Sequence, residues 1–140
     1  MPETSTPVSG DTATAGDPTE VELRLPADGA YATVLRTLTA GLAARLDFTM
    51  DDIEDLRIAV SEAAAMVLDE ADDGAVLDCR FRLTPGELML TISTDSQSPT
   101  PPDYESFGWQ VLATLAAEAA IDTAPGSYAV RLTVRSSLES

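Results

Sequence analysis

The side chains available for chemistry in this sequence are carboxylates, arginines and hydroxyls, because the chain has no histidine, no lysine and a single cysteine, Cys79. Without imidazole there is no Ser-His or Cys-His nucleophile and no imidazole metal ligand; without lysine there is no Schiff base and no Walker-type phosphate clamp. One cysteine permits neither an internal disulfide nor a thiolate metal site, which fits a reducing compartment. Most hydrolase mechanisms are thereby excluded. In SEAAAMVLDE, Glu62 and Glu70 stand at four-residue steps on either side of Met66, so the three share one face of one helix. The 140 residues carry 24 acids against eight arginines, a formal charge of −16. That field disfavours direct binding to nucleic acid or an anionic membrane and favours a basic partner.

The elements that must position these residues can be read from periodicity. Residues 1–20, rich in Pro, Thr, Ser and Gly, have almost nothing to bury and are expected to form a disordered tail ahead of one domain over residues 21–140. VELRL (Val21 to Leu25) alternates as a half-buried strand. Tyr31, Leu35, Leu38, Leu42 and Leu46 then mark one stripe of an amphipathic helix. Thr49 caps a second helix from Met50 to about Glu70, with Asp51 and Asp52 in its first turn and Ile53, Leu56, Val60, Ala63 and Val67 inward. AVLDCRFRL and ELMLTIST alternate on either side of TPGE and form a hairpin. After the proline-rich SPTPPD, Phe107 to Ala120 reads as a third helix with Val111, Leu112, Leu115 and Ala119 inward, and AVRLTVR (Ala129 to Arg135) as the last strand. The order predicts helices covering one face of a mostly antiparallel sheet. Apolar stretches fall well short of the roughly 20 residues that span a bilayer and no basic segment precedes an apolar one, so a cytoplasmic location is expected.

LDFTMDDIEDLRIAVSEAAAMVL, with a helix ahead of it, the hairpin behind it, and SFGWQVLATLAAEAAI and AVRLTVR closing the chain, resembles the RsbW-like anti-sigma factors that double as serine protein kinases, within the GHKL ATPase superfamily. The resemblance runs from about Val21 to Arg135. It implies the GHKL or Bergerat-type fold, an α/β (α+β) two-layer sandwich whose mixed, mostly antiparallel sheet is covered on one face by three helices. By position it implies Glu62 as the general base of phosphoryl transfer, Met66 at the family's magnesium-binding asparagine and Glu70 at a downstream polar position. A thioether is soft and cannot replace an amide oxygen for a hard cation. In the family's Asp-x-Gly-x-Gly loop this chain has STDSQSPTPPD: either Asp95 stands as the adenine-reading aspartate with Gln97 and Pro99 at the glycines, or Thr94 does with Ser96 and Ser98. Of the glycine pair that opens the third helix and cradles phosphate, Gly108 remains. The resemblance implies ATP and magnesium as cofactors; all three altered elements point to weak or absent ATP binding and kinase activity.

The same resemblance implies two protein partners, an alternative sigma factor and a STAS-type anti-anti-sigma factor that competes for it, in a stress-response partner switch. It places Arg36 at a first-helix arginine that contacts both. It also implies a homodimer through the sheet edge and first-helix region. An active kinase acting on the anti-anti-sigma factor is the alternative reading, and a decoy that binds only that factor is a third. Beside these stand plainer roles: Glu62 a solvated helix acid, Met66 packing, Asp95 a turn residue, Cys79 core, and Phe107 and Trp109 core or dimer contacts. The acids Asp51, Asp52, Glu54 and Asp55 are either a solvated helix start or a landing place for a basic sigma-factor surface.

Overall fold

The computed structural model describes residues 18–138. Five strands and three helices follow in the order β1 (Thr19–Pro26), a 3-10 turn (Gly29–Tyr31), α1 (Ala32–Arg45), α2 (Met50–Glu70), β2 (Val76–Thr84), β3 (Glu87–Asp95), α3 (Phe107–Leu115), β4 (Glu118–Ala124) and β5 (Ser127–Arg135). The sheet order is β1-β2-β3-β5-β4 and every pairing is antiparallel, so the mixed component expected of the sheet is not present among the described residues. The two-layer α+β architecture is as expected. The tail reading over residues 1–17 lies outside the described residues, whereas Thr19 and Glu20 belong to β1, paired with Leu83 and Arg82.

Alternation along the strands builds the core. Cys79, Phe81 and Leu83 on β2 sit opposite Ile92, Leu90 and Leu88 on β3, which in turn oppose Val130, Leu132 and Val134 on β5; all nine are buried. Onto this face α2 lays Leu56, Ala59, Val60, Ala63, Ala64 and Val67, small residues that let the helix lie close to the sheet. Burial pushes the Cys79 thiol up to about 12, with the nearby Asp78 charge adding to it, so this cysteine is an inert core residue. The other sheet face is polar, and the described ion pairs lie there: Arg80 with Glu22 and Asp78, Arg82 with Glu20, Arg131 with Asp122, Arg135 with Glu87 and Glu118. Their arginine side chains are 51–62% exposed, so each pair contributes little to stability.

Two expectations are corrected. Tyr31 lies in the 3-10 turn and is 41% exposed, and the buried line of α1 is Leu35, Thr39 and Ala43, with Leu38, Leu42 and Leu46 half-buried beside it. Thr39 can sit there because its hydroxyl donates to the Leu35 carbonyl at 2.7 Å. The third helix ends at Leu115, and Glu118–Ala124 is a fifth strand paired with β5 through Ala119↔Leu132 and Ile121↔Val130. Gly86 and Gly126, at φ 74° and 88°, close the β2–β3 and β4–β5 hairpins in a conformation that side chains with a Cβ rarely adopt.

The Thr49 cap is a full capping box: Thr49 Oγ1 accepts from the Asp52 N–H at 3.1 Å, and Asp52 Oδ2 accepts from the Thr49 N–H at 3.2 Å. The same Oδ2 accepts from the Ser137 N–H and hydroxyl, both at 3.0 Å, tying the segment after β5 to the start of α2. Burial alone would raise the Asp52 carboxyl, but the hydrogen bonds from Ser137 and Thr49 outweigh it and hold it below its ordinary value. A carboxyl lowered in the folded state adds stability above its unfolded pKa, and that stability is lost as pH falls through the folded pKa. Asp52→Asn should therefore lower stability at neutral pH by about 0.5 to 2 kcal/mol, the range of a lost cap. Urea titrations from neutral pH to below the carboxylate range should show the gap between wild type and Asp52→Asn closing with acid; a gap independent of pH would contradict this role.

Candidate functional site

On α2 the four-residue spacing does what the sequence expects: Glu62, Met66 and Glu70 share a half-buried face. What covers that face is the segment from β3 to α3. Glu70 Oε1 accepts from the Thr100 N–H at 2.8 Å, and Asp72 Oδ1, just past the helix, accepts from the Gln97 N–H at 3.0 Å. The Asp72 N–H donates to the Asp95 carbonyl at 3.1 Å and the Ser96 N–H to the Gly126 carbonyl at 3.0 Å. Residues 96–106 thus form a strap fastened to the end of α2. At its far end Ser106 caps α3, its hydroxyl accepting from the Trp109 N–H at 3.2 Å. The Tyr104 ring meets Trp109 edge to face, centroids 4.8 Å apart.

The strap delivers Gly108 onto Glu62 and Met66. A Cβ at Gly108 would lie 3.2 Å from Met66 Sδ and 3.3 Å from Glu62 Oε1. The approach of α3 to α2 is thus close enough at Gly108 that even a methyl group would press on the Met66 and Glu62 side chains. Met66 fills the space between the helices with an apolar thioether where the resemblance implies an amide oxygen, which leaves Glu62 Oε1 as the hard oxygen donor at this contact. A soft thioether at the implied metal-ligand position, with α3 packed onto it, does not fit a magnesium-bound phosphate.

Asp95 is not brought to this cluster. Thr94 is buried on the helix side of β3, its hydroxyl donating to the Val76 carbonyl at 3.0 Å, and Asp95, next along the strand, is exposed on the opposite face. Of the two alignments of STDSQS, the structure turns Thr94 and Ser96 inward, both nearly fully buried. Tyr128, a buried β5 residue paired with Thr94, is absent from the sequence-based candidates. Its hydroxyl is raised from its ordinary value first by burial and then by the charges of Glu70 and Asp69 and by Tyr104. Its place at the polar end of an alternating strand was the available signal.

Arg36 lies away from this cluster, on α1. It is half-buried, flanks the Leu35–Thr39–Ala43 line rather than opposing it, and its guanidinium donates to the Thr33 hydroxyl at 3.0 Å. Trp109 is half-buried against the core, as expected, but Phe107 is 76% exposed and no part of it. Asp51, Glu54 and Asp55 are exposed on the first turns of α2, while Asp52 is committed to the cap. No described helix is long and apolar enough to cross a membrane.

No family model matches the sequence. Among curated proteins, the chain is 37% identical over 82 residues to the serine-protein kinase RsbW of Halalkalibacterium halodurans, covering 58% of this chain and 51% of that protein. It is 40% identical over 81 residues to the serine-protein kinase RsbW of Bacillus thuringiensis, covering 56% and 51%. The chain spans about half the length of the curated relatives it matches. A crystal structure of the RsbU and RsbW domains of a Mycobacterium tuberculosis protein superposes with a TM-score of 0.65 at 18% identity, over 84% of this chain and 32% of that one. That likeness establishes the fold. Alike in sequence to RsbW proteins and in fold to a chain that carries an RsbW domain, the protein is RsbW-like.

Proposed function

We propose that this protein is a cytoplasmic anti-sigma factor: it sequesters an alternative sigma factor, releases it when a STAS-type anti-anti-sigma factor competes, and does so with weak or no ATP binding. The contact of Gly108 with Met66 and Glu62 carries the last part of the reading. In-line phosphoryl transfer depends on positioned metal and phosphate contacts, and the helix face where the resemblance implies them is occupied by Met66 and overlaid by α3. The likeness to RsbW proteins supports the partner-switch part, and the net charge of −16 suits a basic partner. The stress-response role and the homodimer rest on that likeness alone.

The kinase reading keeps one observation in its favour: Glu62 remains a carboxylate at the general-base position. Titration calorimetry with Mg-ATP separates the two. The proposal expects no saturable heat in the micromolar range; micromolar binding abolished by Glu62→Ala would replace it with the kinase reading.

A further inference from the structure

Among the described residues Phe107 is the most exposed large apolar side chain, level with Met50 at 75%, and Tyr104 lies three residues before it. Phe107, the first residue of α3, is 76% exposed, and Tyr104, in the strap, is 52% exposed. They are held firmly. Glu70 and Asp72 fasten the strap at one end, Ser106 caps α3 at the other, Gln110 Nε2 donates to the Tyr104 carbonyl at 3.2 Å, and Trp109 meets the Tyr104 ring edge to face. A rigid exposed aromatic loses little conformational entropy on contact, which is why such residues anchor interfaces. The strap also carries Asp103 and Glu105, both exposed, on either side of Tyr104. The surroundings of the aromatic pair are therefore acidic.

We infer that Phe107 and Tyr104 form a docking knob for a basic protein segment with an apolar face, such as an amphipathic helix that seats its apolar side on Phe107 and its cations on Asp103 and Glu105. The apolar contact supplies affinity and the carboxylates supply orientation and on-rate. This deepens the anti-sigma reading by assigning a second partner surface, separate from α1, but it does not depend on which protein supplies the segment.

The test uses the full chain and two synthetic helical peptides, one of leucine and lysine and one with glutamate in place of lysine. Trp109, the chain's one tryptophan, reports contact at the strap by its fluorescence. The expected result is saturable binding of the lysine peptide with a change in Trp109 emission, no binding of the glutamate peptide, and a roughly tenfold or greater loss of affinity in Phe107→Ser. Asp103→Asn with Glu105→Gln should weaken binding less and flatten its salt dependence. Phe107→Ser should keep the wild-type thermal midpoint, because the side chain is exposed. Unchanged affinity in Phe107→Ser, binding without a change in Trp109 emission, or equal binding of both peptides would overturn the inference. So would sedimentation showing a wild-type dimer that Phe107→Ser dissociates, since the knob's occupant would then be a second copy. Failure to capture any sigma factor would count against the anti-sigma reading and leave these outcomes interpretable.

Discussion

Arg36→Ala should weaken binding of the sigma factor, the anti-anti-sigma factor or both by about 1 to 4 kcal/mol, the range of a truncated interface anchor. The role rests on the position of Arg36 in the first helix, and the structure adds that the side chain is half-buried and steadied by the Thr33 hydroxyl. A guanidinium already held in one orientation loses less freedom when it meets a carboxylate. Folding should change by no more than about 0.5 kcal/mol, since the group makes one exposed hydrogen bond. Arg45→Ala is the control: Arg45 is exposed in the last turn of the same helix, so a general effect of charge would appear equally in both variants and fade with salt. Equal affinity of wild type and Arg36→Ala for both partners removes Arg36 from the interface.

The second large effect is expected at Gly108, and its sign depends on the size of the replacement. Alanine there meets Met66 Sδ at 3.2 Å, but a thioether at the end of a flexible side chain can move by a few tenths of an ångström, and alanine favours helix over glycine by about 1 kcal/mol. Gly108→Ala should leave stability within about 1 kcal/mol of wild type. Valine adds two methyl groups where α3 and α2 already touch, and Gly108→Val should cost about 1 to 3 kcal/mol by overpacking. Because the clash is with Met66, Gly108→Val combined with Met66→Ala should destabilise by less than the sum of the single changes, measured by urea unfolding. Strict additivity would mean that Gly108 and Met66 do not press on each other. If Gly108 instead served a phosphate, alanine would abolish nucleotide binding and leave stability untouched.

Much of this was legible without coordinates, for identifiable reasons. The Thr49 cap and the β2–β3 hairpin are written in local chemistry: a hydroxyl followed three residues later by an acid, and strict alternation around Pro-Gly. The β4 strand was not legible in the same way. Its EAAIDTA is alanine-rich, alanine favours helix, and on an edge strand Ala119 and Ala120 fit inward and outward positions equally well, which masks the period of two. The alternation of Glu118 and Asp122 against Ile121, ahead of a Pro-Gly turn, was the weak signal that a hairpin follows.

The candidate site divides along the same line. Glu62, Met66 and Glu70 share a helix, so their common face follows from spacing alone. Asp95 could not be placed from sequence, because a shift of one residue along a strand exchanges the faces of the sheet, and both alignments of STDSQS were open. The seating of Gly108 on Met66 joins residues 42 positions apart in the chain and arises from the packing of α3 on α2, which no local pattern encodes. Phe107 shows the converse: an apolar residue at a helix start reads as a core or dimer contact, yet as the first residue of α3 it stands outside the core.

The most direct measurement is capture of partners by the tagged full chain from its native cell, with and without added Mg-ATP, with the retained proteins identified by mass spectrometry. The account predicts that a sigma factor is retained equally in both conditions and is displaced when the anti-anti-sigma factor is added in excess. Retention of no sigma factor, or retention that appears only with Mg-ATP, would contradict it.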